Sequence, residues 1–292
     1  MEVIIKPNSK KLDKYIKKGI SDFLLPLKDF SVEYLNYYTL EEIELFIKTH
    51  KNINIFVSIN KNIFNKDLQK LEEIMIKLDK LKVKGIFYYD LALLSIKRKL
   101  NLTIDLVWNQ THMVTNYNTC NYYYNLGVKY ALMSKEITTK EIVEIKKKSK
   151  IIPIVELISY PSVAFSKRSL VTNYYKDIKT PKKDSIDILE KVSGDKYLVY
   201  EDKNGTTFIK EKITNGFMVI DELLDNGIEY VLLKEDLIEE RIFLDIIKDL
   251  NYYINNYKNM SEKQKKEFIE KEEKILGTET LFFDKELIYK VK

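Results

Sequence analysis

The chain has 292 residues, 45% apolar and 32% charged, with 49 basic against 44 acidic residues and a formal net charge of +5. That is room for one large α/β domain or two small ones, with a sizeable core, and so small a cationic excess does not by itself argue for nucleic acid. The single cysteine, Cys120, excludes an internal disulfide and a cysteine-rich zinc or iron–sulfur site; with only His50 and His112 beside it, a metal site would have to rest on carboxylates.

In chain order, the amino terminus lacks a long apolar stretch, and no later run approaches membrane-spanning length. The expectation is a soluble, cytoplasmic protein with no membrane partner. Apolar, β-branched runs then alternate with helical patterns almost from end to end. Strands are predicted at 3–5, 23–25, 53–59, 85–89, 102–108, 128–133, 151–155 and 228–233. Between most of them lies an amphipathic segment: Leu68, Leu71, Met75 and Leu78 share one helical face, as do Phe243, Ile247, Leu250 and Ile254. Thr39 with Glu42, and Thr138 with Glu141, have the form of a capping box. Gly127 and Gly227 sit where a helix ends before a strand.

Residues 125–136 and 225–236 are alike, a helix–glycine–strand–polar-exit module used twice. Eight strands joined by helical crossovers predict a TIM-type (β/α)₈ barrel over residues 1–258. The interval 160–215 breaks the rhythm as an insertion after the seventh strand. Residues 196–201 and 206–210 read there as a hairpin, with Asn204 and Gly205 as its turn. Residues 259–292 read as a charged helix followed by an aromatic tail packed on the barrel.

A barrel keeps its chemistry at the carboxyl ends of its strands. The seventh strand runs into Glu156, after which come hydroxyls, aromatics, Lys167 and Arg168. This order of features resembles the U-thirty-two peptidases, also called collagenase-like proteases. In that family a strand ending in Glu precedes an aromatic, small-residue loop and a Ser-x-Arg-Cys segment. The similar positions here are Glu156 and then Val163 to Ser169. Upstream, Trp108 to Thr111 and Val114 to Asn116 resemble the family's Gln-containing strand exit and Thr-Asn helix start. Ser134, Lys135 and Glu136 resemble its Ser-Arg-Glu, with lysine for arginine. The likeness spans roughly residues 52–253 and suggests the short form without an added carboxyl-terminal domain.

The resemblance implies a (β/α) barrel and a peptidase, hence a hydrolase, acting on a peptide or protein substrate. It also implies an iron–sulfur cluster in hydroxylating relatives. Ser169 stands where one of their cysteines is expected, so no iron–sulfur cluster is expected here, and no cofactor or metal is assigned; a carboxylate-bound metal stays open. A second reading stays open: a cluster-free, non-catalytic relative of the hydroxylating members, a partner in RNA or quinone modification. Nucleic acid is therefore a possible partner, and tyrosines such as Tyr122, Tyr123 and Tyr124 could stack bases, although barrel packing explains them as well.

The candidate catalytic residues are Glu156, Glu136 and Arg168: two carboxylates able to share a proton or polarise a water, and a guanidinium for a carboxylate or phosphate. The bland alternative is a salt bridge from Glu156 to Arg168 or Lys234. Gln110, Asn116 and Lys234 are the candidate substrate-binding residues. His112 and His50 read as structural. Ser166 and Ser169 lack a recognisable His–Asp partnership.

Overall fold

The computed structural model describes residues 1–183, 185–191 and 194–284. Thirteen strands follow one another in these residues: β1 (Glu2–Lys6), β2 (Asp22–Pro26), β3 (Asn54–Ile59), β4 (Gly85–Tyr88), β5 (Leu106–Trp108), β6 (Tyr130–Leu132), β7 (Ile152–Ser159), β8 (Ser162–Ser166), β9 (Ser185–Leu189), β10 (Lys196–Asp202), β11 (Gly205–Lys210), β12 (Thr214–Asn215) and β13 (Tyr230–Lys234). Each of the first six pairs in parallel with its successor, β13 lies in parallel between β7 and β1, and the ring is closed. The expected eight-stranded barrel is the observed one.

Each strand returns through a helix: α1 (Asp13–Ile16), α2 (Leu40–Thr49), α3 (Leu68–Lys80), α4 (Ala92–Lys99), α5 (Tyr117–Asn125) and α6 (Thr139–Lys148) along the first six crossovers, with α8 (Ile220–Asp225) ahead of β13. The local signals act as expected. Thr39 and Thr138 close capping boxes with Glu42 and Glu141, and Gly127 and Gly227 follow helices at φ +94° and +67°. Among the described residues no helix is long and apolar enough to cross a membrane.

Two apolar layers follow from the twofold period of the strands. One side-chain set points inward and fills the barrel: Ile4, Leu24, Phe56, Phe87, Val107 and Ile154 among others. The alternate set, including Ile5, Leu25, Val57 and Leu106, points outward against Leu71, Met75, Leu78, Phe243, Ile247 and Leu250 of the helices. A barrel is thus a packed core, not a pore.

The interval 160–215 holds more than a hairpin. β8 and β9 flank β10 and β11 in a four-stranded antiparallel sheet, and α7 (Leu170–Asp177) packs Val171 and Tyr175 against Val199. The hairpin turn is Lys203 and Asn204, one residue earlier than expected, because Gly205 already pairs with Asp202. Gly205 has φ +148°, and a Cβ there would lie 2.1 Å from the Ser166 carbonyl oxygen, so backbone approach reserves it for the strand edge. After β12 the chain rejoins the barrel by pairing antiparallel with β7.

α9 (Glu240–Asn256) and α10 (Glu262–Leu276) complete the helical layer, and Phe283 enters the outer core. The Phe283 carbonyl accepts from both the backbone N–H and the hydroxyl of Thr139, each at 3.0 Å. The rest of the expected tail, 285–292, lies outside the described residues.

Candidate functional site

Six inward-pointing core residues each have a polar residue two positions later, at the carboxyl ends of the strands. Ile4 leads to Lys6, Phe56 to Ser58, Val107 to Asn109, Leu132 to Ser134, Ile154 to Glu156 and Leu232 to Lys234. The period of two that builds the apolar core therefore lays a polar floor on top of it. A cavity of about 260 Å³ lies at this mouth, with Asn109, Ser134, Glu156 and Lys234 among its lining. Tyr34 from the β2–α2 loop, Phe165 from the inserted sheet and Phe282 from the tail also line it.

Its electrostatic centre is Glu156, whose carboxylate is 2.6 Å from the Lys135 ammonium and 2.7 Å from that of Lys234. The Ser159 hydroxyl donates to the same carboxylate. Burial alone would raise the Glu156 carboxyl, but the two lysines outweigh it and hold the pKa at about 2. Two lysines compete for this one carboxylate. Burial pulls Lys234 down too, yet Glu156 prevails and raises it. Lys135 ends up lowered, by burial first, with Lys234 also disfavouring its charge.

Lys6 is wholly buried beside this pair and is bound by Asp236 and, at 2.8 Å, by Asn8. Glu235 accepts from the Asn8 backbone and the Tyr15 hydroxyl, tying the loop after β13 to that after β1. The Tyr34 hydroxyl donates to Ser58 at 3.1 Å, and Lys234 lies 5.7 Å from the Tyr34 ring centre.

The expected site residues divide into two groups. Glu156, Glu136 and Lys234 line the cavity. Glu156 does not end its strand, since β7 continues to Ser159. The two carboxylates take different partners, Glu136 meeting His112 Nδ1 at 2.7 Å. Of the two salt bridges foreseen for Glu156, that to Lys234 forms, and Lys135 supplies the second cation. Arg168 is exposed beyond β8, outside the cavity lining. Gln110 is occupied locally: its side chain accepts from the Trp108 indole at 3.0 Å and donates to the Tyr89 carbonyl at 2.6 Å. Asn116 caps α5, accepting from the Thr119 backbone at 2.9 Å.

Asn109, Lys135, Tyr34 and His112 are cavity residues the sequence reading did not select. Counting by two from Val107 would have found Asn109 in place of its neighbour Gln110.

The residues present do not fit a thiolate-ligated cluster. Cys120 is fully buried in the outer core and burial pushes its thiol up to about 12, while Ser169 is exposed at the start of α7. Among the described residues no group of three or more His, Cys, Asp or Glu could hold a metal ion.

The profile of Peptidase family U32 matches residues 7–286. The chain is 26% identical over 290 residues to tRNA hydroxylation protein P2 of Bacillus subtilis (strain 168), covering 94% of each. Among solved structures, a monomeric dihydrodipicolinate synthase variant aligns at TM-score 0.51 and 9% identity, over 94% of this chain and 80% of that one. The octameric ribulose-1,5-bisphosphate carboxylase/oxygenase of Pyrococcus horikoshii OT3 aligns at TM-score 0.52 and 8% identity, over 94% and 63%. At such identities the structural likeness is one of barrel fold alone.

Proposed function

Because the chain belongs to Peptidase family U32, we propose that it serves tRNA hydroxylation as an RNA-binding barrel whose mouth faces the RNA. The near full-length relative supports the process. The observation that carries the reading is the pair of lysines that meet at Glu156 in a partly enclosed cavity, each ammonium keeping donors beyond its salt bridge. Ammonium donors of this kind suit a phosphate or a carbonyl-bearing base, and phosphate contacts supply a large share of the affinity for nucleic acid.

The same geometry argues against Glu156 as the general base of a peptidase. A general base works best with a pKa near the operating pH. Glu156, held at about 2, is a poor acceptor for the proton of Ser159, the hydroxyl that touches it. The reading is also cluster-free, since Cys120 and Ser169 offer no thiolate at the mouth.

Two measurements test it. The affinity of the purified protein for tRNA, taken across a salt series, should weaken steeply with salt, and Lys135→Ala should lower the slope by about one. Deleting the gene should remove hydroxylated nucleoside from bulk tRNA, as read by mass spectrometry of digests. A salt-independent affinity, unchanged nucleoside content, or cleavage of gelatin by pure protein would overturn the reading.

A further inference from the structure

Asn109 is not accounted for by binding a phosphate. It follows Trp108 at the end of β5, and its backbone N–H donates to the Tyr88 carbonyl at 2.9 Å, which fixes its direction. Val107, two residues earlier, belongs to the barrel interior, so the Asn109 side chain also points inward, where it lines the mouth. It is only 6% exposed, and its amide oxygen has no hydrogen-bond partner among the described residues. A buried amide oxygen left unmatched lacks a donor. Gln110, next in the chain, has its amide committed on both sides.

The surroundings narrow the ligand. Tyr34, Tyr160, Phe165 and Phe282 line a cavity of about 260 Å³, and aromatic side chains are what unstacked bases settle against. Lys135 and Lys234 line the same space and, besides their salt bridges to Glu156, have ammonium donors to offer a carbonyl oxygen. Proteins that work on a base take it out of its stack into such a pocket. We propose that Asn109 reads one RNA base that enters the mouth, favouring bases with a ring N–H beside a carbonyl, as in uracil and guanine. The N–H donates to the Asn109 oxygen and the carbonyl faces the lysines. Cytosine and adenine lack that neighbouring pair. The inference rests on the RNA-binding reading and adds a residue that sets base preference.

Saturation-transfer NMR with uridine, guanosine, cytidine and adenosine monophosphates tests it on the whole protein, alongside tRNA affinity. Wild type should bind the first two about tenfold more tightly than the others, one base-edge contact's worth of discrimination. Asn109→Leu, similar in size but without an acceptor, should equalise the four while leaving the salt dependence of tRNA binding unchanged. Asn109→Ser, which retains a small acceptor, should keep part of the preference and guards against a folding defect in the leucine variant. Absence of any preference in wild type, or its persistence in Asn109→Leu, overturns the assignment even where tRNA binds. Failure of tRNA itself to bind overturns the RNA reading first, and the two outcomes are thereby distinguished.

Discussion

Glu156 and Lys234 stand 2.7 Å apart on neighbouring strands whose register slips by one residue beside them: Leu232 faces Glu156, but Leu233 faces Ile158. The slip is a bulge, which resets the alternation of faces. Leu157 and Ile158 both lie in the outer core, and Ser159 returns to Glu156 as a donor. One irregularity in β7 thus supplies the carboxylate with a third partner and lets the strand run past the mouth.

Removing the charge at this centre will be costly. Glu156→Gln leaves Lys135 and Lys234 without their shared counter-ion, and breaking a buried pair in this way costs about 3–5 kcal/mol. The pH dependence has a definite sign. The folded pKa is depressed, so the Glu156 share of stability is present above the ordinary carboxylate range and is lost as pH falls toward 2, by about 3 kcal/mol in all. Urea unfolding between pH 6 and pH 2.5 should show a shallower acid loss in Glu156→Gln than in wild type. Parallel curves for the two proteins would contradict the assignment.

A second buried carboxylate has the opposite sign. Glu272 of α10 is fully buried and neither carboxylate oxygen has a hydrogen-bond partner among the described residues. Burial, then the charge of Asp249, pushes its pKa up to about 7, against the pull of Lys271. A raised carboxyl contributes its full stability below its unfolded pKa and loses it as pH rises through 7. Glu272→Gln is therefore expected to stabilise the protein at pH 8 by about 2–3 kcal/mol, a gain that shrinks toward pH 4.5. Melting temperatures of both proteins across that range check it, and equal temperatures at pH 8 would exclude it.

Gly216 is where the returning insertion meets the bulge. A Cβ there would lie 2.4 Å from the Leu157 Cδ1 and 2.6 Å from the Leu157 carbonyl oxygen. Gly216→Ala should lose about 1–3 kcal/mol by overpacking, although alanine usually favours folding through the unfolded chain. Chemical denaturation gives the answer directly; a neutral or stabilising effect would mean that β12 and β7 can separate at no cost.

By itself the sequence determined the barrel. Period-two apolar runs, capping boxes at Thr39 and Thr138 and left-handed glycines after two helices are local signals, and each operates within a few residues of itself. The polar floor was half legible for the same reason, since alternation carries Leu232 to Lys234 and Ile154 to Glu156. Tertiary structure alone decided which groups meet. Lys135 rather than Arg168 reaches Glu156, and Asn109 rather than Gln110 faces the cavity. Ring closure brings exits together from strands far apart in the chain, and no local pattern encodes that pairing. The inserted sheet escaped notice because β8 and β9 are short, half-exposed edge strands whose order comes from pairing with β11 and β10.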